Sequence, residues 1–148
     1  SNDISEFHIS LFYLGYGIGI LVSLNIKKII HFFRNEINTI IFGLVFFLII
    51  TIFLVIPNIL IIFSLIFFFC LGMFTVHTVS TGLANSMKAS QKSLTSGMYL
   101  TFYYLGGTIG SFIPSLIYEK FGWNEVLYMF CAVLFMILLV ILNRRNIF

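Results

Sequence analysis

The chain has 148 residues and a formal net charge of +3, with 60% hydrophobic residues and only 9% charged ones. The mean hydropathy of +1.10 excludes an ordinary soluble domain, because a core of this size cannot bury so much apolar surface. The distribution of the basic residues across a membrane accounts for the net charge, so a nucleic-acid partner is not needed to explain it. The composition therefore predicts a helical protein that crosses the membrane several times.

Five long apolar stretches predict an all-α integral membrane fold. Hydrocarbon provides no hydrogen-bond partners for the backbone, so a stretch of about 20 residues crosses it as a helix. The alternation at every second residue that is typical of a membrane barrel is absent. The predicted spans are residues 8–26, 38–56, 59–83, 94–118 and 125–142.

The basic residues indicate how these spans are oriented. On one side of the membrane lie seven of the eight: Lys27, Lys28, Arg34, Lys88, Lys92, Arg144 and Arg145. Lys120 lies on the other side. Because Lys and Arg accumulate in cytoplasmic loops, the C-terminus is predicted to be cytoplasmic and the N-terminal end of this chain to lie outside. An odd number of spans without an initiating Met predicts a fragment of a longer protein, with at least one span upstream.

Small residues form stripes on two of the predicted helices. They are Gly15, Gly19 and Ser23 in the first span, and Gly106, Gly107, Gly110 and Ser111 in the fourth. Helices in lipid pack closely where such residues face each other. The stripes favour two interface helices that move against another domain, with static packing inside the bundle as the alternative. Pro114 is expected to bend the fourth span, since it removes a backbone donor.

His77 is the ionisable side chain that lies well inside a predicted span. It precedes Lys88 by 11 residues, which places it about 16 Å along the helix and near the middle of the membrane. A titratable group at that depth indicates a functional site, and histidine titrates near neutral pH. We therefore predict that His77, with Thr81 one turn further along, handles substrate or protons. A neutral imidazole that hydrogen-bonds to another helix is the alternative.

Tyr99 and Tyr103 share one face of the fourth span with Gly106 and Gly110. They are predicted either to line a cavity and offer hydroxyls to a substrate, or to serve as packing and interfacial anchors. No paired acids, histidine cluster, phosphate-binding loop or Cys/His spacing indicates catalysis or a metal. We therefore predict no catalytic residues, no metal and no cofactor.

Residues 72–82 and 96–110, followed by Phe121-Gly122-Trp123, resemble the tenth and eleventh spans of the major facilitator superfamily, in particular its bacterial sugar-efflux and drug-efflux permeases. The resemblance covers essentially the whole chain as spans eight to twelve. It implies a C-terminal half-bundle of a twelve-helix transporter, without its seventh span and its N-terminal half. The first and fourth spans would then face the other half, and His77 would line the cavity.

The same resemblance implies a multi-pass protein of the bacterial inner membrane that exports a small molecule by alternating access, with the proton gradient as energy source. Its implied partners are the lipid bilayer, the missing half and the unknown substrate. One departure concerns residues 23–36, which keep basic residues but lack the Asp and both glycines of the family's Gly-Asp-Arg-Gly-Arg-Arg loop, the pattern that latches the cytoplasmic side.

A different class of function stays open beside the transporter. The chain could be a small membrane protein that associates with itself, such as a compact exporter or channel subunit. Gly15 with Gly19, and Gly107 with Ser111, would then be homodimer contacts.

Overall fold

The computed structural model describes residues 15–86 and 92–144. These residues form five helices: α1 (Gly15–Phe32), α2 (Glu36–Phe53), α3 (Ile59–Ser86), α4 (Lys92–Phe121) and α5 (Trp123–Arg144). Neither of the two described stretches contains a strand. The predicted all-α fold is confirmed. The predicted start of the first span, as well as Lys88 and Arg145, lies outside the described residues.

Four of these helices, α2 to α5, are long and apolar enough to cross a membrane. The described part of α1 is not among them, since Asn25, Lys27, Lys28 and His31 dilute its apolar character. α1 also continues six residues past the predicted end of its span at residue 26. A helix can continue beyond the hydrocarbon, so the end of α1 does not test the predicted end of the membrane span.

Two asparagines cap the helices that follow the first two connections. After α1 the chain turns at Arg34, whose φ is +74°. The side chain of Asn35 then accepts a hydrogen bond of 2.7 Å from the backbone N–H of Asn38 and begins α2. Asn58 accepts hydrogen bonds from the N–H groups of Leu60 and Ile61, at 3.0 and 3.3 Å. Side-chain oxygens at these positions satisfy helix donors that have no partner within the helix.

Glycine brings α2 and α3 into direct backbone contact. A Cβ atom added to Gly72 would lie 3.2 Å from both the backbone nitrogen and the Cα of Phe47. A Cβ on Gly43 would lie 2.8 Å from the side chain of Val76. Beside this contact, Ile40 and Leu44 of α2, Val79 of α3 and Leu134 of α5 form a buried cluster. The centre of the bundle therefore lies between α2, α3 and α5.

α1 covers a second side of α3 and also uses glycine. A Cβ on Gly15 would approach the Sγ of Cys70 to 2.9 Å, and a Cβ on Gly19 would approach the ring of Phe74 to 2.8 Å. α4 differs from the other helices, because none of the residues in its apolar window is buried. It continues through Pro114 as one helix, and the bend expected there stays a prediction.

We predict that Gly72→Ala lowers the free energy of unfolding by about 1–3 kcal/mol, because the backbone of Phe47 cannot move away from the new methyl group. The measurement is an unfolding titration of the purified chain in detergent micelles, followed by helicity. Gly82→Ala is the matched control in the same helix, since nothing lies within 4 Å of its Cβ position. Equal stability of the two variants would contradict the close contact between α2 and α3.

Candidate functional site

His77 of α3 and Tyr99 of α4 form a hydrogen bond between two helices. The Tyr99 hydroxyl lies 3.0 Å from Nδ1 of the imidazole. The ring of Tyr103 lies beside the same imidazole, with 4.8 Å between the ring centroids. The rings of Tyr99 and Tyr103 are nearly parallel, at 15° to each other. The structure thus brings together three of the four residues that the sequence predicted to handle substrate or protons.

The spacing of residues along the two helices explains this geometry. Ser96, Tyr99 and Tyr103 recur at intervals of three and four residues, so they share one face of α4. The hydroxyl of Ser96 donates a hydrogen bond of 2.6 Å to the side-chain oxygen of Asn85 on α3. Asn85 and His77 are eight residues apart and lie on the same side of α3. Two polar contacts therefore align α4 against α3 before the glycine-rich part of α4 begins.

The histidine and the two tyrosines line a cavity of about 330 Å³ between α2, α3, α4 and α5. This volume falls in the usual range for small-molecule sites, which combine an apolar wall with a few polar groups. None of the lining side chains carries a full charge at neutral pH when the histidine is neutral. The lining residues are Leu44, Phe47, Met73, Phe74, Val76, His77, Ser80, Tyr99, Tyr103, Leu134 and Ile137.

Thr81, the fourth predicted residue, has a different role in the structure. Its hydroxyl donates a hydrogen bond of 2.7 Å to the backbone carbonyl of His77, and Thr81 does not line the cavity. Ser80 lines the cavity in its place. The sequence offered a signal for Ser80, because both i+3 and i+4 from His77 lie on the same side of a helix. Distinguishing the two positions requires the rotation of α3, which hydropathy does not report.

One nitrogen of the imidazole has no hydrogen-bond partner among the described residues. Tyr99 occupies Nδ1, and the described residues provide no hydrogen-bond partner for Nε2. A neutral imidazole has one donor and one acceptor, and its tautomer determines which nitrogen has which role. The site can therefore present a donor or an acceptor to a bound molecule, next to aromatic faces. Within residues 15–86 and 92–144, no group of three His, Cys, Asp or Glu side chains could hold a metal ion.

The two glycine stripes lie in different surroundings. Gly15 and Gly19 contact α3, and the hydroxyl of Ser23 lies 3.4 Å from that of Thr78. In contrast, nothing lies within 4 Å of the Cβ positions of Gly106, Gly107 and Gly110, and Ser111 beside them is exposed. The described contacts of the first stripe correspond to packing inside the bundle. The predicted role of both stripes at a domain interface stays a prediction.

The long apolar helices define a helical membrane protein, and a partly open cavity lies between four of them. Residues 1–146 match the sequence profile of the Major Facilitator Superfamily. The chain therefore belongs to this family of membrane transporters. No match was found among the curated proteins or among the solved structures. The resemblance is confirmed at the level of the superfamily, while the likeness to sugar and drug permeases and the assignment to spans eight to twelve stay predictions.

We predict that Tyr99→Phe lowers the free energy of unfolding by about 1 kcal/mol, because it removes one hydrogen bond between helices. The ¹⁵N chemical shift of Nδ1 in His77 is expected to change as well. Tyr104→Phe is the control, since the Tyr104 hydroxyl makes no hydrogen bond to the described residues. An unchanged Nδ1 shift in Tyr99→Phe would show that the bond does not form in the membrane.

Proposed function

We propose that the protein is a proton-coupled secondary transporter that exports an uncharged, partly apolar small molecule from a bacterium. The observation that carries this proposal is the hydrogen bond between His77 and Tyr99 at the wall of a cavity, in a chain of a transporter family. The absence of full charges among the lining side chains supports an uncharged substrate, because an ion would need charged or strongly polar partners in an apolar site.

The hydrogen bond offers a route from protonation to helix movement. In the neutral state Nδ1 of His77 can accept the Tyr99 proton, whereas a protonated imidazole has only donors. Protonation then reverses the bond, and Tyr99 must become the acceptor. Because the two residues belong to different helices, reversal of the hydrogen bond changes the strength and geometry of the contact between α3 and α4. A proton bound in the cavity is thereby coupled to the relative position of two helices.

Alternating access needs a second half-bundle that faces this one across the substrate. We propose that the exposed glycine face of α4, at Gly106, Gly107 and Gly110, contacts an N-terminal half of the same protein. The openness of these positions supports the proposal, since glycine gives another helix room for close approach. The protein would lie in the bacterial inner membrane with the C-terminus in the cytoplasm, as the basic residues indicate.

We predict that His77→Ala reduces export about tenfold, because the reversible contact with Tyr99 is lost. Tyr103→Leu is expected to reduce export as well, since it removes an aromatic wall of the cavity. The measurement is efflux of ethidium, chloramphenicol and a radiolabelled disaccharide from cells that express the natural gene. Phe102→Leu is the matched control, because Phe102 is exposed and does not line the cavity.

The coupling ion is tested in the same cells. Wild-type export is expected to depend on pH because a proton is the proposed coupling ion, and export by His77→Ala should lose this dependence. A wild-type rate that does not change with pH would assign His77 to packing. Full export by Tyr103→Leu would contradict the cavity as substrate site.

If a second half-bundle belongs to the same polypeptide, the native protein must be larger than this chain. An antibody against residues 143–148 should detect a native polypeptide of roughly 40–45 kDa, since two domain-sized halves have that mass. The purified 17.0 kDa chain alone should not transport any of the three probes in vesicles. A native band at the mass of this chain would instead favour a self-associating membrane protein, as would export by vesicles that contain only this chain.

A further inference from the structure

Lys27, Lys28, His31 and Phe32 line an open surface pocket of about 440 Å³ at the C-terminal end of α1. All four side chains are exposed. No described acidic side chain forms an ion pair with either lysine. The pocket surface itself is formed mainly by apolar atoms of these side chains. The same side chains carry two ammonium groups without a described ion-pair partner and an imidazole, which are suitable donors for a phosphate group.

The surface that leads to this pocket is apolar and equally exposed. Ile20, Leu21 and Leu24 lie one to two turns before the lysines, and Leu24 is 77% exposed. Lys28 follows Leu24 by four residues, and Phe32 follows Lys28 by four, so the three lie on one side of the helix. Phe32 is 79% exposed. A continuous strip of α1 thus changes from apolar to cationic along the helix axis.

We propose that this strip binds an anionic phospholipid. Its phosphate lies between Lys27, Lys28 and His31, and its acyl chains lie along Ile20, Leu21 and Leu24. Charge complementarity selects the headgroup, because each lysine near a membrane surface adds about fivefold to the affinity for anionic lipid. The apolar strip selects a lipid over free phosphate, since inorganic phosphate gains nothing from leucine and isoleucine side chains.

The proposed lipid does not depend on which substrate is transported. The lysine pair ends a helix that packs on α3, and α3 carries His77. A lipid that holds the end of α1 at the membrane surface would support the face of α3 on which Gly15 and Gly19 pack. The expected occupant is a structural lipid of the surrounding bilayer, and it does not enter the transport cavity.

The test is native mass spectrometry of the purified chain in nonionic detergent, titrated with phosphatidylglycerol or with phosphatidylcholine of the same acyl chains. The wild-type chain should bind phosphatidylglycerol more tightly. The double variant Lys27→Gln/Lys28→Gln should weaken that binding by roughly tenfold or more and leave phosphatidylcholine binding unchanged. Millimolar inorganic phosphate should not displace the lipid.

Two variants separate the site from general effects of charge and folding. Lys120→Gln removes one positive charge at the other predicted membrane surface and should leave binding unchanged. Lys27→Arg/Lys28→Arg keeps both charges and should retain phosphatidylglycerol. Equal binding by the wild type and the Gln double variant would overturn the proposal, as would an equal loss in Lys120→Gln. Displacement by inorganic phosphate would assign the pocket to a free anion and overturn the lipid.

Discussion

The contact between Gly72 of α3 and the backbone of Phe47 determines how the rest of the bundle is arranged. No side chain separates the two helices there, so the rotation of α3 about its own axis is fixed. The opposite side of α3 presents Cys70 and Phe74 to the glycines of α1. With two sides occupied, the remaining sector of α3 carries Met73, His77 and Ser80, which recur at intervals of four and three residues. That sector faces the cavity.

α4 is attached to this arrangement in a different way. The polar contacts that join it to α3 include the bonds from Ser96 to Asn85 and from Tyr99 to His77, and none of the residues in its apolar window is buried. Hydrogen bonds between membrane helices contribute only about 1 kcal/mol each on average. A proton or a ligand can supply a free energy of that size. Under the proposed function, the helix that closes one side of the cavity would therefore also be the helix whose position a bound molecule changes most readily.

The sequence predicted the helical class and the cavity residue His77 for one physical reason, whereas Tyr99 and Tyr103 were predicted from the helix face that they share with Gly106 and Gly110. Hydrocarbon penalises unpaired polar groups, so long apolar runs must be helices, and a histidine inside one of them is conspicuous. The same reasoning did not separate Ser80 from Thr81, nor did it identify Leu44 and Leu134 as cavity residues. Helices that are apolar all round carry no marked hydrophobic face, so their rotation and their neighbours emerge only from packing. For the same reason, the sequence could not predict that Gly15 and Gly19 contact Cys70 and Phe74 of α3.

The chemistry of the cavity links proton binding to substrate binding in the proposed transport cycle. No carboxylate lies among the lining residues, so a protonated His77 has as described partners only the Tyr99 oxygen and the Tyr103 ring. A cation at 4.8 Å from an aromatic centroid gains about 0.5–2 kcal/mol. This stabilisation by the Tyr103 ring is small compared with the free-energy cost of a charge in an apolar site. An apolar substrate that fills the cavity removes water from the imidazole and raises this cost further. In the proposed cycle, substrate and proton would therefore disfavour each other in the same cavity, which is the relation that exchange of an outgoing molecule for an incoming proton requires.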